Sequence, residues 1–149
     1  MMKQNEILFN SPFEVSLRIL LLLSTNNNNC FTMEKILYLD FITCYCEDYG
    51  LEHPNLHGIN NYKLSEIANR RKLVHEAIKG LVVKGLITPI VKKGYSFNIT
   101  SEGENYINSL TSSYSKEYKA IAIDAINKYG KESDENILSL IRSKEVTRD

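Results

Sequence analysis

Apolar and polar positions alternate along the chain with helical period in most places and with strand period in one. The first patterned stretch, "SPFEVSLRILLLLS", opens with three helix-start signals: Ser11 as a cap, Pro12 at the first helical position and Glu14 where a capping-box carboxylate belongs. It is then apolar on almost every side up to Leu23, and such a helix is buried on more than one face. The pattern predicts a helix over 12–25. The asparagine run at 26–29 ends it, because asparagine competes for backbone hydrogen bonds and tolerates left-handed conformations. Thr32 caps a second helix, "MEKILYLDFITCYCEDYG", over 32–49 with a stop near Gly50. "LEHPNLHGINNY" carries proline, glycine and asparagine without a stripe and reads as a loop.

A third helix over 65–85 places Ile67, Val74, Ile78 and Leu81 on one side and Lys72, His75, Glu76 and Lys79 on the other. "LITPIV" and "YSFNI" then alternate as strands around "KKG", a turn in which glycine permits a positive φ. This is a wing over 86–99. Ser101 and Glu104 form a capping box for a helix over 101–110. Tyr114, Tyr118, Ile121, Ala125 and Tyr129 form the stripe of a helix over 113–129 that stops at Gly130, and Ser133 caps a last helix over 133–143. The fold class expected from this order is mainly α with a small β-wing: a single winged-helix-like domain over 1–149 with additional N- and C-terminal helices.

Composition narrows the class. The chain has 149 residues, enough for one domain with an adequate core, and its 43% apolar and 24% charged residues are ordinary for a globular protein. Formal net charge is zero, so no global field favours nucleic acid. The longest apolar run, Ile19 to Leu23, falls far short of the ~20 residues of a membrane span. The first residues, "MMKQNEILFNSP", lack the apolar core of a signal peptide, and three cysteines make no disulfide framework. A reduced, cytoplasmic protein without membrane contact is expected.

Charge is nonetheless uneven. From Lys63 to Lys93 there are eight basic and two acidic residues, a local +6 that the rest of the chain balances. Arg70, Arg71, Lys72 and Lys79 on the third helix, with Lys92 and Lys93 at the wing tip, are candidate contacts for DNA or a partner. The competing reading is a solvated face and a soluble turn. "EIAN" runs straight into "RRKLVHEAIKGL" with no room for a helix-turn-helix turn. The motif is therefore degenerate, or its first helix is the distant 32–49 segment, and any DNA contact is expected to be non-specific.

Other candidate chemistry is sparse. Cys44, Cys46, His53 and His57 invite a zinc reading, but Cys-x-Cys is not the spacing of structural sites, and helix positions two apart diverge. Asp40 and Arg18 each interrupt apolar runs. They either pair inside or each reach the surface. No nucleophile motif, phosphate-binding glycine loop or carboxylate cluster is present, so neither enzyme activity nor a cofactor is expected. Phe13 and Leu17 on the first helix, with Tyr114 and Tyr118 on the tyrosine stripe, are candidate protein-interface residues; the alternative is that all four are core.

"FNSPFEVSLRILLLLS", "ILYLDFITCYCEDYG", "PNLHG", "ANRRKLVHEAIKGLVVKGLI" and "LTSSYSKEYKAIAIDAINKYG" occur in this order. The ordered set, from Phe9 to Arg142, resembles the middle component of bacterial ABC-three-component systems, particularly the branch in Lamassu-type anti-phage defence. Gly58 and Ser113 stand where similar proteins often carry proline. The resemblance implies a small non-catalytic subunit that joins or regulates two others: an SMC/Rad50-like ABC ATPase with a long coiled coil, and an effector, commonly a nuclease. The alternative function is a free winged-helix DNA-binding transcription regulator.

Overall fold

A computed structural model describes residues 11–25, 30–57, 63–91 and 94–146. The expected break at 26–29, Gly58 and the wing-tip Lys92 and Lys93 lie outside the described residues. The described elements are α1 (Pro12–Ser24), β1 (Phe31–Thr32), α2 (Met33–Cys44), a 3-10 turn (Cys46–Tyr49), α3 (Lys63–Val83), β2 (Ile87–Val91), β3 (Tyr95–Ile99), α4 (Ser101–Asn108), α5 (Ser113–Tyr129) and α6 (Asp134–Val146). The fold is mainly α with a small β-wing.

Helix α1 is the hub. Ser11 Oγ accepts from Glu14 N at 3.2 Å, and every residue from Leu17 to Leu23 is buried, Arg18 included. An all-round apolar helix needs neighbours on all sides, and α1 contacts α2, α3, α4, α5 and β3. Helix α2 starts as its threonine predicts, with Thr32 Oγ1 accepting from Lys35 N at 3.1 Å. It ends earlier than its apolar pattern, at Cys44, where Tyr45 leaves helical geometry (φ −119°, ψ 44°). The following chain folds back to complete the helix end. Leu56 N and His57 N both donate to Cys44 O, at 3.0 and 3.2 Å. That return, which the sequence pattern does not contain, brings His57 over the core.

Helix α3 is one unbroken 21-residue helix. Its end is a Schellman arrangement: Leu86 N donates to Leu81 O, Gly85 N donates to Val82 O, and Gly85 has φ 75°. The strands form an antiparallel sheet in the order β1-β3-β2, with Phe31 opposite Phe97 and Pro89 opposite Phe97 on the other side. Strand β1 is too short to show a period, so the alternation rule misses it. Pro89 sits on an edge strand, the place where a residue without an N–H is tolerated. The capping box at Ser101 is shifted by one residue: Thr100 is the cap, and its Oγ1 accepts from Gly103 N at 3.0 Å. Gly103 packs so closely on the turn after α3 that an added Cβ would clash with Leu86 O. Helix α6 runs beyond the expected 143, to Val146.

Candidate functional site

Four helices send polar side chains to one buried point. Asp40, on α2, is fully buried. Its Oδ1 accepts from Arg18 Nε on α1 at 2.9 Å and from Tyr118 Oη on α5 at 2.6 Å. Its Oδ2 accepts from Arg70 Nη1 on α3 at 3.1 Å and from Arg18 Nη2 at 3.3 Å. The Cys44 thiol adds a weak donor at 3.8 Å. Arg70 also donates through Nη2 to Glu66 Oε2 at 2.7 Å, one helical turn back, and Tyr45 Oη donates to the same oxygen at 3.3 Å. The guanidinium of Arg70 lies 5.5 Å from the ring centre of Phe41 and 5.7 Å from that of Tyr45. Two guanidinium groups thus face two carboxylates, and the charge balances inside the core.

His57 extends this network toward the surface, and geometry fixes its tautomer. Arginine only donates, so Nδ1 of His57 must accept from Arg70 Nη2, 3.2 Å away. The ring proton is then on Nε2, which donates to Tyr114 Oη at 3.1 Å. The direction of donation runs from the buried arginine out to Tyr114 of α5.

Electrostatics follow from burial and partners. Burial raises the Asp40 carboxyl, but Arg18 and Arg70 overcome it and hold the group well below the usual carboxylate range. Burial, with Arg70 and Arg18 nearby, presses His57 down to about 2, so the imidazole is neutral. Burial pushes the Cys44 thiol up to about 12, and Asp40 reinforces it. The Cys44 thiol is therefore neutral.

The structure separates the residues that sequence had grouped. Arg70 is a core residue, not a surface cation, which corrects its place among candidate DNA contacts. Arg71 is half-exposed and paired with Glu34 at 3.2 Å, while Lys72 and Lys79 point to solvent. Phe13 is 61% exposed but Leu17 only 8%. Tyr118 is buried against Asp40, and Tyr114 is half-buried against His57, so the tyrosine stripe is core rather than interface. The four zinc candidates are engaged apart: Cys46 Sγ donates to His53 O, and His53 Nε2 lies 2.7 Å from Asp124 of α5. Among the described residues no three His, Cys, Asp or Glu side chains form a group fit for a metal ion. No helix there is long and apolar enough to cross a membrane.

A second feature was not visible in sequence. An apolar groove of about 420 Å³ lies between α1 and α3 and is closed at one side by Tyr106 of α4. Its walls include Phe13, Leu17 and Leu20 of α1 and Leu73, Ala77 and Leu81 of α3.

Fold and site together define a small helical domain with a β-wing, whose converging charges turn inward and whose concave surface is apolar. The chain belongs to the family described as ABC-three component (ABC-3C) system Middle Component 2: that family's model matches residues 8–147. It is therefore an accessory component of a multi-subunit system. No curated protein and no solved structure matches it.

Proposed function

We propose that the chain is a non-catalytic adaptor that joins an SMC/Rad50-like ABC ATPase to an effector, commonly a nuclease, in a cytoplasmic anti-phage defence complex of the Lamassu type. The observation that carries this reading is the match to the middle-component family across residues 8–147. The division of surfaces supports it: the charged cluster at Asp40 is sealed and neutral, while the groove beside exposed Phe13 offers apolar contact. The sequence has no phosphate-binding loop, so ATP turnover is assigned to the partner.

The test is co-expression of the tagged chain with the ATPase and effector encoded beside it. A stable complex is expected, with ATPase and cleavage activities absent from the isolated chain. A chain that purifies alone while the other two work normally without it would overturn the proposal.

DNA contact in this reading is sequence-blind and secondary. It falls to Lys72 and Lys79 on α3, to Arg71 where it is freed from Glu34, and to Lys92 and Lys93. A free winged-helix regulator is the second reading. The element order α1-β1-α2-α3-β2-β3, with the strands arranged β1-β3-β2 in the sheet, favours it. Against it, Arg70 is buried, and α2 ends at Cys44 while α3 begins at Lys63, a separation in sequence too long for a tight turn. Strong preference of the isolated chain for one duplex at moderate salt would decide for the regulator.

A further inference from the structure

Both long walls of the apolar groove have the spacing that accepts a third helix. On α3 and the residue that follows it, the lining residues are Leu73, Glu76, Ala77, Gly80, Leu81 and Lys84. They form two successive sets at i, i+3, i+4 and i+7, the four-residue hole into which a facing helix inserts a side chain. On α1, Phe13, Ser16, Leu17 and Leu20 repeat the same set. Gly80 stands where the two sets on α3 overlap, and a Cβ built there meets no atom within 4 Å. The notch is therefore open, unlike the crowded Gly103. Phe13 and Tyr106, 61% and 40% exposed, stand at the margins with large apolar surface in water.

Charge gives the occupant a direction. Glu76 lines the groove two turns before Lys84, which lines it just past the C-terminal end of α3. A helix that complements both carries a basic residue over Glu76 and an acidic residue over Lys84. Laid antiparallel to α3, such a helix has its acid near its own N-terminus and its base near its C-terminus, the polarity that helix dipoles favour.

We propose that this groove receives one amphipathic helix of a partner subunit, antiparallel to α3, with an apolar side chain seated at Gly80. The proposal rests on the adaptor reading and names the surface through which it works. The helix contributes apolar residues at three- and four-residue spacing, and its flanking charges set the register between Glu76 and Lys84.

Three forms of the full chain, each co-expressed with the subunits encoded beside it, test this. Gly80→Leu fills the notch without disturbing the fold, since the space is open and leucine favours helix; its helicity is checked by circular dichroism. Tyr106→Glu alters the margin at an exposed position. Each is expected to lower the co-purified partner by at least about tenfold while the chain stays folded. In the third form, Phe13→p-benzoylphenylalanine, photocrosslinks are expected on partner residues three and four apart within a helical segment whose acidic end lies nearer Lys84. Full retention of partner by folded Gly80→Leu and Tyr106→Glu would overturn the groove while leaving the adaptor reading intact. Crosslinks confined to residues 1–10 of the same chain, to a second copy, or to no polypeptide would also overturn it. If the unaltered chain retains no partner, the adaptor reading fails, and this proposal fails with it.

Discussion

Helices α1 and α3 each contribute to both the ion network and the apolar groove. Arg18 and Arg70 reach inward to Asp40, whereas Leu17, Leu20, Leu73 and Ala77 line the groove. The inward site is buried around Asp40: its carboxylate accepts from two arginines and a tyrosine, His57 holds one tautomer, Glu66 balances the second arginine from the core's edge, and Arg70 Nε is left without a hydrogen-bond partner. The outward face is open and apolar, with room left at Gly80. The difference separates what holds the domain together from what it has to offer. A buried network is costly to break because one lost partner strands the others. An open groove tolerates change in the isolated chain and shows its importance only when a partner is present.

The largest effect is therefore expected at Asp40. Asp40→Ala strands two buried guanidinium groups and should cost about 3–5 kcal/mol, measured by denaturant unfolding. A loss below about 1 kcal/mol would mean that the network is not bonded as described.

Acid should act through the same network. His57 has its folded-state value pressed down to about 2 from an ordinary 6.5. Between those values the unfolded chain binds a proton that the folded chain does not. Stability is then fully present above about pH 6.5 and falls as pH drops, by about 1.4 kcal/mol per pH unit. Asp40, also held below its ordinary value of 3.8, adds a second decline of the same sign only below that pH. By pH 5 the histidine alone should cost about 2 kcal/mol. His57→Gln should flatten the decline above pH 4.5 even if it lowers stability at neutral pH; an unchanged slope would remove His57 from the network.

The groove side should respond in the opposite direction. Gly80→Ala replaces a helix-weakening residue where space is free and should raise stability by about 0.5–1 kcal/mol. Phe13→Glu, at a position 61% exposed, should change it by less than about 0.5 kcal/mol. A large loss at either residue, seen as a shift of the unfolding midpoint, would show that the groove is part of the core.

Much of the fold was legible because helix starts and stops depend on neighbouring residues. Ser11 with Glu14, Thr32, and Gly130 after α5 act locally, and the structure uses them as caps and stops. Strand β1 was not legible, since Phe31 and Thr32 become a strand only by pairing with β3. The site was half legible. Arg18 and Asp40 stood out as charges in apolar runs, but whether they met depended on how α1 packs on α2. Arg70, Arg71 and Lys72 looked like one basic patch. Successive helical residues turn by about 100°, so the three point to core, margin and solvent in turn. The groove needed three helices in place before it existed at all.

The most direct measurement compares the two exposed surfaces in the assembled system. Phe13→Glu and the double variant Lys72→Glu with Lys79→Glu are each co-expressed, tagged, with the neighbouring ATPase and effector, and the retained subunits are quantified by mass spectrometry. The account predicts that Phe13→Glu loses a partner subunit while the lysine variant keeps both. Retention of both by Phe13→Glu, with loss from the lysine variant, would contradict it.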